Sequence, residues 1–531
     1  MQLPARILQH RGDRPALDLD GRLRCYAEVI DTAFALAAVL DVADSGPTGL
    51  VAILAHKSFS AYVAALAAHL AGKGYVPLNI KFPPQRLASM LCRSGAGVVV
   101  VGSEGLGVLG SLLEAVGPER QLTVVGAETE SFGGLPGAHP THRFLSGRAS
   151  AAATLPRPCR PDATAYLLFT SGSTGQPKGV PVSFANLDAY LSNVARHFPL
   201  EPTDRASQSF DMTFDLSVHD LFATWSAGAC LCPVGDTTLV NPARFIRDQR
   251  LTAWFSVPSV AMFMARGRSL QPQAFPSLRL SLFCGEPLPV ATAEAWCRAA
   301  PNSRLISLYG PTETTIAIAQ HQWGPGNGRD SGRNGLVPIG RVFPTQRYCL
   351  LAAGRQVVSG PGRGELCLSG SQVTSGYLNA LDKTSAQFVH LPEAGPDPWY
   401  RTGDLVEEDD RGVLHFIGRI DLQVKVNGYR IELGEVESVL REASGYDGVA
   451  AVPWPAAGGT AAGLVAFILG EASDDRPLFT ACRKALPDYM VPTRIIWTRT
   501  LPLNANGKVD RNALIGELDR QQKQGEPPHE R

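Results

Sequence analysis

Residues 165–180 read Ala-Tyr-Leu-Leu-Phe-Thr-Ser-Gly-Ser-Thr-Gly-Gln-Pro-Lys-Gly-Val. The apolar run Ala165 to Phe169 predicts a short buried strand. The chemistry then changes abruptly. Thr170, Ser171, Ser173 and Thr174 bring hydroxyls, Gly172, Gly175 and Gly179 free the backbone, and Lys178 brings a cation. Small residues let N–H groups approach a ligand, hydroxyls donate and a lysine offsets charge, so such a loop suits a polyphosphate. It is not a Walker loop. Gly179 follows Lys178 where Ser or Thr belongs, and Pro177 stands where the Walker glycine should be.

Five further stretches carry groups able to do chemistry. Asp215 lies in Phe214-Asp215-Leu216-Ser217 with Val218, Leu221 and Phe222 close by. A carboxylate in apolar surroundings needs a cationic partner, which a substrate ammonium can supply. The competing reading is a helix N-cap, common before an apolar helix. Tyr309-Gly310-Pro311-Thr312-Glu313 joins a strand end to a tight turn; its aromatic can stack a base and its carboxylate can hold Mg²⁺ between phosphates. Asp404, ending Tyr400-Arg401-Thr402-Gly403-Asp404, could accept from two vicinal hydroxyls. Arg419 and Asp421 sit at a break in composition, and Lys508 lies on a tight turn within Asn506-Gly507-Lys508-Val509-Asp510-Arg511.

The elements that must position these residues follow from size and pattern. The chain has 531 residues, more than a single core holds, so more than one domain is expected. Over residues 1–160, Tyr26–Leu40 and Ser58–Ala71 have helical spacing. Leu50–Leu54, Tyr75–Leu78 and Gly97–Val101 read as strands between them, the alternation of an α/β layered domain. Residues 126–162 read as a long Gly/Pro/Ser-rich loop. After Val180, Leu187, Leu191, Val194 and Phe198 mark one face of a helix. Residues 337–378 shift to short strands and turns, as in a small β-barrel or sandwich. Residues 421–514 read as a smaller α+β domain, with strands at 424–426 and 449–452 and a helix over 435–443. The polar residues 515–531 are expected to be a disordered tail. The large domain is thus expected over 1–420. Lys+Arg and Asp+Glu balance at 49 each, which gives no electrostatic case for nucleic acid or an anionic membrane. No apolar stretch is long enough for a membrane span, and the N-terminus lacks a signal-peptide layout. The 10 cysteines show no Cys-x-x-Cys pair and the 11 histidines no zinc-ligand spacing. A cytoplasmic enzyme with reduced thiols is expected.

Together these motifs resemble the amino-acid-activating adenylation domains of nonribosomal peptide synthesis, within the acyl-adenylate-forming ligases. The likeness extends through residues 70–77, 364–370, 423–435 and 486–492 in the family's order. The resemblance implies two half-reactions: an amino acid and ATP give an aminoacyl adenylate and pyrophosphate, and a phosphopantetheine thiol of a carrier protein then takes the acyl group. It implies that Thr170, Ser171, Ser173, Thr174 and Lys178 cradle phosphates. Tyr309 would stack on adenine beside Gly310 and Pro311, Thr312 would touch the α-phosphate and Glu313 would hold Mg²⁺. Asp404 would bind ribose with Arg419 nearby, Asp421 would be the hinge of a mobile small domain, and Lys508 would be the catalytic lysine. Asp215 would bind the substrate's amine, which favours an amino acid over an aryl or fatty acid. The side-chain pocket would be lined by Leu216, His219, Phe255, Leu282, Cys284, Leu308, Ile316 and Ala317. That set is apolar but for His219, so a compact, largely apolar substrate is expected. The order Asp-Leu followed by Leu–small–Leu is similar to stand-alone prolyl activators, which favours L-proline; cysteine, alanine and threonine are the other candidates. With no carrier or condensation motif in the sequence, loading of a separate carrier protein in trans is expected. The alternatives are an acyl- or aryl-CoA ligase and a non-catalytic adenylate-binding relic.

Overall fold

The computed structural model describes residues 3–43, 46–127, 143–146, 156–171, 177–235, 241–324, 332–352, 356–358, 360–421, 423–457, 460–503 and 509–523. The chain forms two compact units. One comprises Met1–Ile80, Leu87–Phe169 and Gly179–Gly418; the other comprises Lys81–Arg86, Thr170–Lys178 and Arg419–Arg531. Two short segments expected in the large N-terminal domain therefore belong with the smaller unit. The reason is local bonding: Ser171 Oγ donates to the Arg430 carbonyl at 2.9 Å and accepts from the Glu432 N–H at 3.2 Å, and Arg86 pairs with Glu435 at 2.8 Å.

The first unit is layered α/β. Its seven-stranded sheet runs, in spatial order, Arg143–Ser146, Thr123–Gly126, Val98–Val101, Leu50–Leu54, Gly74–Leu78, Thr164–Thr170, Lys178–Ser183. Leu50–Leu54 and Val98–Val101 are buried throughout, as continuous apolar runs covered on both faces must be. The strand Arg143–Ser146 interrupts the stretch expected to be a loop from 126 to 162; its pairing beside Thr123–Gly126 extends the parallel sheet by one strand. The helix Phe59–Leu70 starts at Ser58, whose hydroxyl accepts from the Ala61 N–H. The helix Phe184–His197 starts with a capping box between Ser183 and Asn186.

A nine-stranded sheet holds the residues that matter most for the site. Its central parallel strands are Ala253–Ser256, Leu280–Phe283 and Arg304–Tyr309. Side chains alternate along each strand. Phe255, Leu280, Leu282, Ile306 and Leu308 join the core that packs against the helices 184–197 and Leu216–Ser226. Trp254, Phe283 and Leu305 point the other way, into a second core with Trp296 and Trp323. The register sets Phe255 beside Leu282 and Leu282 beside Ile306. Residues 346–408 add an antiparallel sheet built on Gln346–Leu351, Arg363–Gly370 and Pro398–Glu408.

The second unit packs the helices Leu433–Ser444 and Arg476–Ala485 on two small sheets around Val426, Ile431, Val436, Leu440, Ile468 and Met490. The tail expectation is corrected in part. Arg511–Lys523 is a helix, because Leu514 and Leu518, one turn apart, bury themselves against Val452, Val465 and Phe467. Residues 524–531 lie outside the described residues. Among the described residues, no helix is long and apolar enough to cross a membrane.

Candidate active site

Asp215 stands at the N-cap position of the helix Leu216–Ser226, yet its side chain makes no capping bond. Its Oδ2 instead accepts from the Ile316 N–H at 3.2 Å, across 101 residues of sequence. The carboxylate is 7% exposed. The helix-cap explanation therefore does not account for it. A buried carboxylate held by a backbone amide beside an apolar cluster is a fitting counter-charge for an ammonium group.

The segment that supplies this amide is strained. Thr315 and Ile316 are both left-handed, with φ of 59° and 70°, a conformation β-branched residues rarely adopt. Gln372, fully buried, holds the turn: its amide donates to the Ala317 carbonyl at 2.8 Å, and the Thr315 hydroxyl donates to the Gln372 carbonyl at 2.6 Å. The close approach also fixes Gly310. A Cβ there would lie 2.6 Å from Ala317 Cα. The structure thus brings Leu216, Phe255, Leu282, Cys284, Leu308, Ile316 and Ala317 into one continuous cluster, to which Asp215 is tied through the Ile316 amide. None of these residues is more than 7% exposed. His219 joins them from one turn beyond Asp215, its ring edge-on to Phe255 at 4.8 Å. Burial pushes its pKa down to about 3, so the imidazole is neutral.

At the end of the strand Arg304–Tyr309, the Tyr309 phenol donates to Asp404 Oδ2 at 2.5 Å, joining two expected nucleotide residues 95 positions apart. Glu313 lies in the short 3₁₀ turn Thr312–Thr314, after Pro311, and is fully buried. Its Oε1 accepts from the Tyr377 phenol at 2.9 Å. A carboxylate so held fits a Mg²⁺ ion, which takes one or two protein carboxylates and completes its shell with phosphates and water.

The remaining expected residues lie in the second unit. Thr170 Oγ1 is buried with no protein partner among the described residues, as suits a group awaiting a ligand oxygen. Ser171 makes the two bonds given above, and Lys178 is 8% exposed. Arg419 forms a bidentate pair with Asp421, at 2.7 and 2.6 Å. Ser173, Thr174 and Lys508 lie outside the described residues.

Sequence reasoning missed Gln372, Tyr377 and Tyr190. Tyr190, fully buried, meets His219 Nδ1 at 2.8 Å through its hydroxyl. It stands between Leu187 and Leu191 on the face read as plain core; the one available signal was a hydroxyl on an otherwise hydrocarbon stripe.

Parallel strands running into a strained turn, with a buried carboxylate and a phenol–carboxylate pair beside the end of Arg304–Tyr309, have the character of a candidate small-molecule site of the α/β type. A family profile described as AMP-binding enzyme matches residues 5–378, and the chain belongs to that family. It is 31% identical to a D-alanine–D-alanyl carrier protein ligase of Lacticaseibacillus rhamnosus, over 97% of this chain and 98% of that one. It is 32% identical to surfactin synthase subunit 2 of Bacillus subtilis, over 97% of this chain but 13% of that protein. It likewise spans 13% of the length of tyrocidine synthase 2 of Brevibacillus parabrevis, at 30% identity over 97% of this chain. The crystal structure of the Vibrio cholerae adenylation domain AlmE with glycyl-adenosine-5′-phosphate superposes with a TM-score of 0.89 at 34% identity, covering 98% and 97% of the two chains. These relatives accord with the ligase fold of a large N-terminal and a small C-terminal domain.

Proposed function

We propose that this protein activates a compact α-amino acid with ATP and hands it to the thiol of a phosphopantetheinylated carrier protein. The observation that carries the reading is Asp215: a buried carboxylate, not used as a cap, beside an apolar cluster. In the first half-reaction a substrate carboxylate oxygen bonds to the α-phosphorus of ATP, and the bond from that phosphorus to the pyrophosphate oxygen breaks. Asp215 binds the amine and orients the carboxylate. Asp404 receives the ribose hydroxyls, the Tyr309 ring lies against adenine, and Thr312 contacts the α-phosphate. Thr170, Ser171, Ser173, Thr174 and Lys178 hold the departing phosphates, with Arg419 near the ribose. Glu313 would hold Mg²⁺, which would offset phosphate charge. Lys508 stabilises the charge that builds at phosphorus, a preorganised effect worth about 3–4 kcal/mol. In the second half-reaction the thiol sulfur attacks the acyl carbon and AMP leaves, after the small domain turns about Asp421.

Phe255, Leu282 and Leu308, packed with His219, restrict the side chain to a compact one. The similar proteins that carry D-alanine and glycyl-adenylate in their descriptions support a small substrate. The Leu–small–Leu series favours L-proline, with alanine, cysteine and threonine alongside. The test is amino-acid-dependent exchange of pyrophosphate into ATP over the full panel, followed by loading of a carrier protein. Exchange driven by aryl or fatty acids and by no amino acid would replace this reading with an acyl- or aryl-CoA ligase.

A further inference from the structure

The Tyr190–His219 pair carries information that the apolar cluster around it does not. Tyr190 is fully buried and His219 is 4% exposed. Their contact, Tyr190 oxygen to His219 Nδ1, is 2.8 Å. Among the described residues neither the phenol nor the imidazole ring has another hydrogen-bond partner. A buried phenol must place its proton on an acceptor, and a phenol is both donor and acceptor whereas a neutral imidazole offers one lone pair. If His219 Nδ1–H donated to the phenol oxygen, the phenol proton would have nowhere to go. Tyr190 therefore donates to Nδ1. The ring is neutral, since burial holds its pKa near 3, so its single proton sits on Nε2.

The pocket then has a polar end of one definite kind. Asp215 and His219 are one turn apart on the same helix face, and the ring stands edge-on to Phe255 at 4.8 Å. Nε2 lies across the ring from Nδ1, so Nε2–H is an uncharged donor on a ring packed against Phe255 and Phe198.

We propose that Tyr190 is a positioning residue that locks His219 as the Nε2–H tautomer, and that this donor makes the pocket select compact amino acids whose side chain carries an oxygen or sulfur acceptor. The inference rests on the amino-acid-activating reading and narrows it: threonine, serine and cysteine move ahead of proline and alanine. A site that donates to a substrate hydroxyl discriminates against the isostere lacking it, because the donor is then left unsatisfied.

The experiment compares pyrophosphate exchange for isosteric pairs, L-threonine against L-valine and L-serine against L-2-aminobutyrate, in the full-length enzyme and in Tyr190→Phe, His219→Leu and His219→Gln. The wild type should favour the hydroxyl member of at least one pair by about tenfold or more in kcat/KM. Tyr190→Phe and His219→Leu should bring the ratio to within about threefold of unity, and His219→Gln, which retains a neutral N–H donor, should restore part of it. In spectra of ¹⁵N-histidine-labelled enzyme, the His219 ring, identified by its loss in His219→Gln, should show an accepting Nδ1 and a protonated Nε2, and this signature should be lost or mixed in Tyr190→Phe. If amino acids drive exchange with no preference for the hydroxyl partner, or Tyr190→Phe leaves both ratio and tautomer intact, the inference is overturned while the activating function stands. If no amino acid drives exchange, the functional reading itself falls.

Discussion

Replacing Asp215 with Asn tests the charge alone. Asparagine has nearly the same shape, and its carbonyl oxygen can still accept the Ile316 N–H that Asp215 receives at 3.2 Å. The strained turn at Thr315 and Ile316 should therefore keep its support. What is lost is the negative charge facing the substrate's amine. Removing one partner of a buried ion pair costs about 3–5 kcal/mol, since the other charge is left uncompensated. At 1.36 kcal/mol per tenfold this is a loss of about 10²- to nearly 10⁴-fold in kcat/KM for the amino acid. The lower end is expected here, because the residue is 7% exposed rather than sealed off. Pyrophosphate exchange would be measured with the best amino acid and with the corresponding carboxylic acid lacking the amine. The wild type should prefer the amino acid strongly. In Asp215→Asn that preference should collapse while the amine-free acid changes by no more than about threefold. Equal losses for both substrates, or no loss for the amino acid, would refute the assignment of Asp215 to the amine.

Tyr309→Phe removes the donor to Asp404; a hydrogen bond to a charged acceptor is worth about 1.5–3 kcal/mol, so the KM for ATP should rise about tenfold or more with folding intact. Gly310→Ala would put a Cβ 2.6 Å from Ala317 Cα, so melting should show a loss of about 1–3 kcal/mol or greater, together with weaker exchange. Stability should fall with acid. His69 and His219 are both buried, and desolvation lowers their pKa values to about 4 and about 3 from 6.5. Below pH 6.5 the unfolded chain takes up protons that the folded one refuses, so the stability present above 6.5 is lost as pH falls toward those folded values. At pH 5 each should subtract about 2 kcal/mol, read as a lower urea midpoint than at pH 7. His219→Gln should flatten that slope.

The residues proposed for the candidate site stand out in the sequence because they sit in local strings whose chemistry is abrupt: hydroxyls after an apolar strand, an acid among hydrocarbon residues, a Gly-Pro turn with a glutamate. The faces of Ala253–Ser256 and Leu280–Phe283 came from the structure, where neighbouring side chains go to opposite sides of each strand. The helix Arg511–Lys523 was not legible as structure. Its polar composition hides two leucines whose value depends on a sheet surface formed elsewhere. The same limit governed the roles within the site. Tyr309 finds Asp404 across 95 residues, Asp215 finds Ile316 across 101 and Tyr190 finds His219 across 29. Sequence determined which groups were available. Only packing decided which groups meet, because a hydrogen bond acts over about 3 Å and its partners are brought that close by the tertiary fold, not by their spacing along the chain.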